Sequence, residues 1–78
     1  MKIDESSPES AYLQLAARLR EGIVSGEIAS QLPSITELSE ETGLAVGTVR
    51  RAIEILIQEH LAQAVPGRGT YVTEPSVA

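Results

Sequence analysis

A chain of 78 residues is long enough for one domain and short enough that its core must be modest. Hydrophobic residues make up 42%, which excludes a disordered chain; the absence of Cys excludes a disulfide scaffold or thiolate metal site, and the absence of Phe and Trp demands an aliphatic core, with Tyr12 and Tyr71 as its aromatics. The net charge of −5 argues against a polyanionic partner, yet residues 43–73 hold Arg50, Arg51 and Arg68 against Glu54 and Glu59 alone, so the second half is locally basic.

Met1 to Ser7 is polar, carries Asp4 and Glu5, and reads as a flexible tail rather than a signal peptide. No apolar run approaches the roughly 18 residues of a membrane span, so a soluble cytoplasmic protein with no membrane partner is expected. Ser7, Pro8 and Glu9 supply an N-cap, a first-position proline and a first-turn carboxylate. With Tyr12, Leu15, Ala16, Leu19 and Ile23 recurring at spacings of three and four, they predict a first helix over 8–25 that ends at Gly26.

Glu27 to Pro33 reads as a connector, and Leu32-Pro33 disfavours helix at Leu32. Ser34-Ile35-Thr36-Glu37 has the form of a capping box, which predicts a short second helix from Ile35 to Thr42, burying Ile35 and Leu38 and ending at Gly43. The few residues from Gly43 to Val46 leave room for a tight turn and nothing more, so the next helix must cross steeply, as in a helix-turn-helix. That third helix is predicted from Val46 to Glu59 or His60, with Val49, Ala52, Ile53, Leu56 and Ile57 buried. Gly47, Thr48, Arg50, Arg51 and Glu54 then keep some exposure.

Leu61–Val65 and Thr70–Val72 read as two short strands, joined through Pro66 and Gly67 at the centre of a type II turn. A two-stranded hairpin is not stable alone, so it must pack beside the third helix as a wing. The domain is expected over 8–73, and Glu74 to Ala78 reads as a tail or the start of a linker. The fold class is therefore mostly α with a small β-hairpin.

Two groups of cations stand out: Arg50 and Arg51 near the start of the third helix, and Arg68 between Gly67 and Gly69 at a loop tip. Such an arrangement holds positive charge out toward a polyanion. The competing reading of Arg50 is an ion pair with Glu54 at i,i+4, worth a few tenths of a kcal/mol. His60, with no Cys and no second His, founds no zinc site and reads as a cation near a helix C-terminus; Glu40-Glu41 reads as a solvated face. No nucleophile, base and orienting group assemble, so neither enzymatic activity nor a cofactor is expected.

Leu32-Pro33-Ser34 before Glu37-Leu38, then Gly43, then Thr48-Val49-Arg50-Arg51-Ala52, then Gly67-Arg68-Gly69-Thr70-Tyr71-Val72 resembles the DNA-binding domain of the GntR family of bacterial transcription regulators. The resemblance implies a winged helix-turn-helix whose third helix enters the major groove while the wing reaches the neighbouring minor groove or its phosphates. It implies backbone contacts from Ser34 and Thr36, phosphate or base contacts from Thr48 and Arg50, with Arg51 as a further candidate that can instead turn toward the domain. It implies a wing contact from Gly67, Arg68, Gly69 and Thr70. In that family an additional C-terminal domain senses a small metabolite and dimerises the protein. It would attach through Glu74 to Ala78, leaving this segment alone monomeric or weakly dimeric.

This sequence departs from the family where Thr36 replaces a usual Arg and Ala45-Val46-Gly47 replaces Ser-Arg-Thr. Ala45 cannot cap the helix, and Val46 cannot pair with guanine. Contact between Val46 and a thymine methyl, phosphate contact through Gly47 and DNA shape are the recognition modes left. A sequence-specific regulator of double-stranded DNA, acting as a repressor, is the expectation. The alternative is a winged-helix protein-interaction module without DNA binding, using an exposed apolar patch around Leu44 and Val46.

Overall fold

The structure is a computed structural model that describes residues 10–73. It contains helices α1 (Ala11–Ser25), α2 (Ile35–Thr42) and α3 (Val46–Gln58), followed by strands β1 (Ala62–Val65) and β2 (Gly69–Val72). The α3 segment is rich in Val and Ile, which are mediocre helix formers in isolation. Packing overrides that preference. Val49, Ala52, Ile53 and Leu56 are buried along one side, and α3 contacts α1, α2 and β1.

The core is aliphatic as expected: Leu15, Ala16 and Leu19 of α1 meet Leu38 of α2, the α3 stripe, and Leu32, Leu44 and Ala62 from the connecting segments and β1. Ile35 and Ile57, expected to be buried, are half-buried at its margin. Tyr12 also packs against this cluster, but Tyr71 does not and is half-buried elsewhere. The expectation of two core aromatics is corrected to one. Tyr71 pairs with Gln63, one residue out of step with the Ala62–Val72 pair that faces the core, so strand alternation turns Tyr71 to the outside of the wing.

Element boundaries depart from the sequence reading at the start of α1, at the end of α3, which closes at Gln58 rather than at Glu59 or His60, and at the starts of both strands; the connector differs as well. Ser10 is the N-cap of α1, with extended φ −60 and ψ 143, so the helix begins at Ala11 rather than Pro8; Ser7, Pro8 and Glu9 lie outside the described residues, as does the tail after Thr73. The strands run antiparallel from Ala62 and from Gly69 rather than from Leu61 and Thr70. The connector also contains a strand-like residue: Gln31 bridges Tyr71, flanked by Leu32 N–H donating to Thr70 O at 2.9 Å and Val72 N–H donating to Ser30 O at 2.7 Å. The hairpin therefore gains a third, single-residue edge.

α3 ends without a glycine. His60 takes φ 63, its N–H donates to Ile57 O at 3.0 Å, and Leu61 N–H donates to Leu56 O at 2.9 Å. These two bonds form a Schellman motif with histidine in the left-handed position. A side chain there costs roughly 1–2 kcal/mol of steric strain, less for polar residues, while a glycine adds about 0.4–1 kcal/mol of unfolded-state entropy. Because the His60 side chain is exposed, His60→Gly should stabilise the domain by about 0.5–1 kcal/mol, read as a higher urea midpoint at unchanged slope.

Candidate nucleic-acid interface

The α2 start is built as its sequence predicts. Ser34 Oγ accepts the Glu37 N–H at 3.0 Å, and Ser34 N–H donates to Glu37 Oε1 at 3.2 Å. Ser34 and Thr36 are exposed on this first turn. The Ser34 hydroxyl, acting as acceptor in the cap, keeps its own proton available for a second partner.

The turn into α3 is held by hydroxyls that sequence reasoning did not single out. Gly43, in the left-handed region at φ 75, donates its N–H to Ser39 O. Ser39 Oγ donates to Leu44 O and Thr42 Oγ1 to Leu38 O, both at 2.6 Å, while Leu44 N–H donates to Thr42 Oγ1 at 3.2 Å. The signal for these roles was Ser and Thr in the last turn of a short helix, where terminal carbonyls lack intrahelical partners. The turn pulls Leu44 into the core at 6% exposure. That removes half of the apolar patch a protein-interaction module requires, since Val46 by itself is an ordinary exposed residue.

Beyond the turn, Ala45 occupies the N-cap of α3 in extended conformation with no side-chain cap bond. Val46 follows at 46% exposure, and a Cβ built on the exposed Gly47 meets nothing within 4 Å. Thr48 is half-buried, whereas Arg50, Arg51 and Glu54 are exposed. Arg50 does not pair with Glu54: among the described residues the one ion pair joins Arg20 of α1 to Glu59 after α3. Its two bonds, Arg20 Nε to Glu59 Oε1 at 2.9 Å and Nη2 to Oε2 at 2.8 Å, give a bidentate clasp, and hydrogen bonding to this carboxylate raises the Arg20 pKa above its ordinary value. Arg51 is also engaged, with its guanidinium carbon 4.8 Å from the Tyr12 ring centroid.

At the wing, Arg68 N–H donates to Val65 O at 3.0 Å, and Gly67 has φ 76 at the third turn position, as a type II turn requires. Arg68 is exposed at this tip, flanked by Gly67 and Gly69. Thr70 is half-buried and pairs with Ala64, in step with the core-facing Ala62–Val72 pair, so it lies on the inner side of the wing. Among the described residues no group of three or more His, Cys, Asp and Glu side chains is placed to hold a metal ion. At α3 and the wing the exposed features are instead the Arg50 and Arg68 guanidinium groups, in no ion pair among the described residues, an uncapped helix start and an apolar leading residue.

Three helices with a tight turn between the second and third, and a hairpin following the third, define a winged helix-turn-helix domain. Residues 11–72 match the family described as bacterial regulatory proteins, gntR family, and the chain belongs to that family. It is 37% identical over a 79-residue alignment to the transcriptional repressor NagR of Bacillus subtilis, which covers 99% of this chain and 32% of that protein. It is 38% identical over 68 residues to the mannosyl-D-glycerate transport/metabolism system repressor MngR of Escherichia coli, covering 85% of this chain and 28% of the relative. The chain thus spans about a third or less of these curated relatives. The DNA-binding domain of AraR, solved in complex with operator ORE1, superposes with a TM-score of 0.80 at 28% identity, over 90% of this chain and 88% of that one. Membership in a family of regulators agrees with the expectation of no enzymatic activity.

The bare N-cap makes a direct test of the local geometry. Ala45 is exposed and already has the backbone conformation of a capping residue. Ala45→Ser should therefore stabilise the domain by about 1 kcal/mol through a new bond to an α3 N–H, measured by urea unfolding.

Proposed function

We propose that this chain is the operator-binding part of a bacterial transcription repressor, with α3 in the major groove of double-stranded DNA and the wing against the flanking backbone. The observation that carries this reading is that Arg50 on the outer side of α3 and Arg68 at the wing tip are both exposed and, among the described residues, in no ion pair. Support comes from the family and from an operator complex of a related domain. Thr48 and the backbone at Gly47 join Arg50 in reaching the groove and its phosphates. Ser34 and Thr36 approach the backbone from α2, and Gly67, Gly69 and Thr70 shape the wing around Arg68. Arg51, stacked on Tyr12, contributes chiefly by tying α3 to α1.

NagR and MngR are repressors at least about three times as long as the stretch they share with this chain. We assign the remainder of such a protein to effector sensing and dimerisation, so that two copies of this domain read a palindrome with half-sites about 34–36 Å apart. A protein with this role works in the cytoplasm, and no helix among the described residues is long and apolar enough to cross a membrane.

Phosphate contacts are read most directly without knowledge of the operator. On a random-sequence duplex of about 30 base pairs, Arg50→Ala and Arg68→Ala should each weaken retention in a mobility-shift titration and flatten the plot of log affinity against log salt by about 0.9. Unchanged binding in both variants overturns the assignment.

Base recognition at Val46 has its own test. Duplexes selected from a random pool should share a thymine opposite Val46, and replacing that thymine by uracil should weaken binding about fourfold, the worth of one buried methyl near 0.8 kcal/mol. Val46→Ala should shrink the difference between the two bases.

A further inference from the structure

The wing tip is held by a side chain from outside the hairpin. Ser30 and Leu32 pair with β2 on either side of the Gln31–Tyr71 bridge, and the next step toward the tip would oppose Pro33 to Gly69. That step fails for chemical reasons. Pro33 and Gly69 would form a non-hydrogen-bonded pair, so the next ladder bond would run from Ser34 N–H to Arg68 O, and that N–H is already bonded to Glu37 Oε1 in the α2 capping box. The main-chain ladder stops short of Arg68, whose carbonyl is left facing the connector.

Gln31 fills the vacancy. Its side-chain amide Nε2 donates to Arg68 O at 3.1 Å. The same atom lies 3.2 Å from where a Cβ on Gly69 would stand, so the amide is seated against a residue with no side chain of its own. Arg68 is thereby fixed on both sides of its Cα, through its N–H to Val65 O and through its carbonyl to Gln31. Without the amide, the tip is a short turn containing Gly67 and Gly69, both at positive φ and both rich in alternative conformations.

We propose that Gln31 is a positioning residue for the DNA contact of the wing: its amide replaces the missing ladder bond and aims the Arg68 guanidinium at the backbone. This rests on the reading of Arg68 given above. It also links the two outer contact points, because the connector that supplies Gln31 runs within three residues into Ser34 at the start of α2.

The test compares wild type, Gln31→Met, Arg68→Ala and the double variant on a random-sequence duplex of about 30 base pairs across a salt series. Methionine keeps the length of the side chain and removes the donor. Gln31→Met should flatten the salt dependence as Arg68→Ala does, by up to about 0.9 in slope, and the double variant should bind like Arg68→Ala alone. A merely structural role would lower thermal stability without changing the slope. In the free protein, the NMR order parameter of the Gly69 N–H should fall from near 0.85 toward about 0.6 in Gln31→Met. An unchanged slope in Gln31→Met beside a flattened one in Arg68→Ala overturns the positioning role and leaves the wing contact standing. An equal further loss in the double variant also overturns it, since the effect then bypasses Arg68. If Arg68→Ala itself changes nothing, the wing contact fails and the positioning role with it.

Discussion

Burial of one side of α3 is the constraint from which the rest follows. With 3.6 residues per turn, placing Val49, Ala52, Ile53 and Leu56 in the core leaves Arg50, Arg51 and Glu54 no position except the outer surface. The helix cannot rotate to hide Arg50 without exposing Val49 or Ile53, each worth about 1.5–3 kcal/mol when buried. In a domain whose total stability is of order 5–15 kcal/mol, that rotation is prohibitive. The same burial anchors α1, α2 and β1, since each of them contacts α3. Presentation of the outer face is thus a by-product of the interaction that makes the domain fold at all.

What could be read from the chain without coordinates was whatever depends on near neighbours. Ser34 with Glu37, Gly43 after Thr42, and Gly67 in its turn each announce their roles within a few residues, and α2 and the start of α3 fall where those signals place them. The end of α3 was blurred because His60 does the work usually given to glycine. The Gln31–Tyr71 bridge was invisible for a different reason. A single paired residue leaves no alternation in the sequence, and its partner lies far along the chain. Tyr71 was misassigned because scarcity of aromatics made it look like core material, whereas pairing register sets its side of the sheet.

The electrostatics of the candidate interface were legible in outline and not in detail. Counting charges by segment locates the basic half, but it cannot tell which cations are already committed. Arg20 is clasped by Glu59 across 39 residues, and Arg51 rests on Tyr12 of α1. Both contacts join α1 to the α3 region; the Glu59 carboxylate offsets the charge of Arg20, whereas Arg51 keeps its charge while packed on Tyr12. Arg50 and Arg68, like Arg18 of α1, are exposed and in no ion pair among the described residues. Few uncommitted cations on a chain of net charge −5 mean a shallow electrostatic well, and binding by one copy must be weak and sensitive to salt.

That weakness bears on how specificity is divided. Ala45, Val46 and Gly47 give the leading edge of α3 no side-chain donor or acceptor, so direct hydrogen-bonded reading of bases there is not available. A methyl contact discriminates by about 1 kcal/mol, far below what a bidentate arginine supplies. On the proposed reading, much of the discrimination would then come from geometry: how well a given duplex lets the α2 start, the α3 start and the wing tip meet its backbone at once. Geometry selects only if those points are held rigidly with respect to one another. The capping box, the hydroxyl-stitched turn and the Gln31 amide provide this rigidity, each at a helix end or in a connecting segment. A second linked copy would then multiply a weak, shape-dependent preference through effective concentration rather than through new contacts.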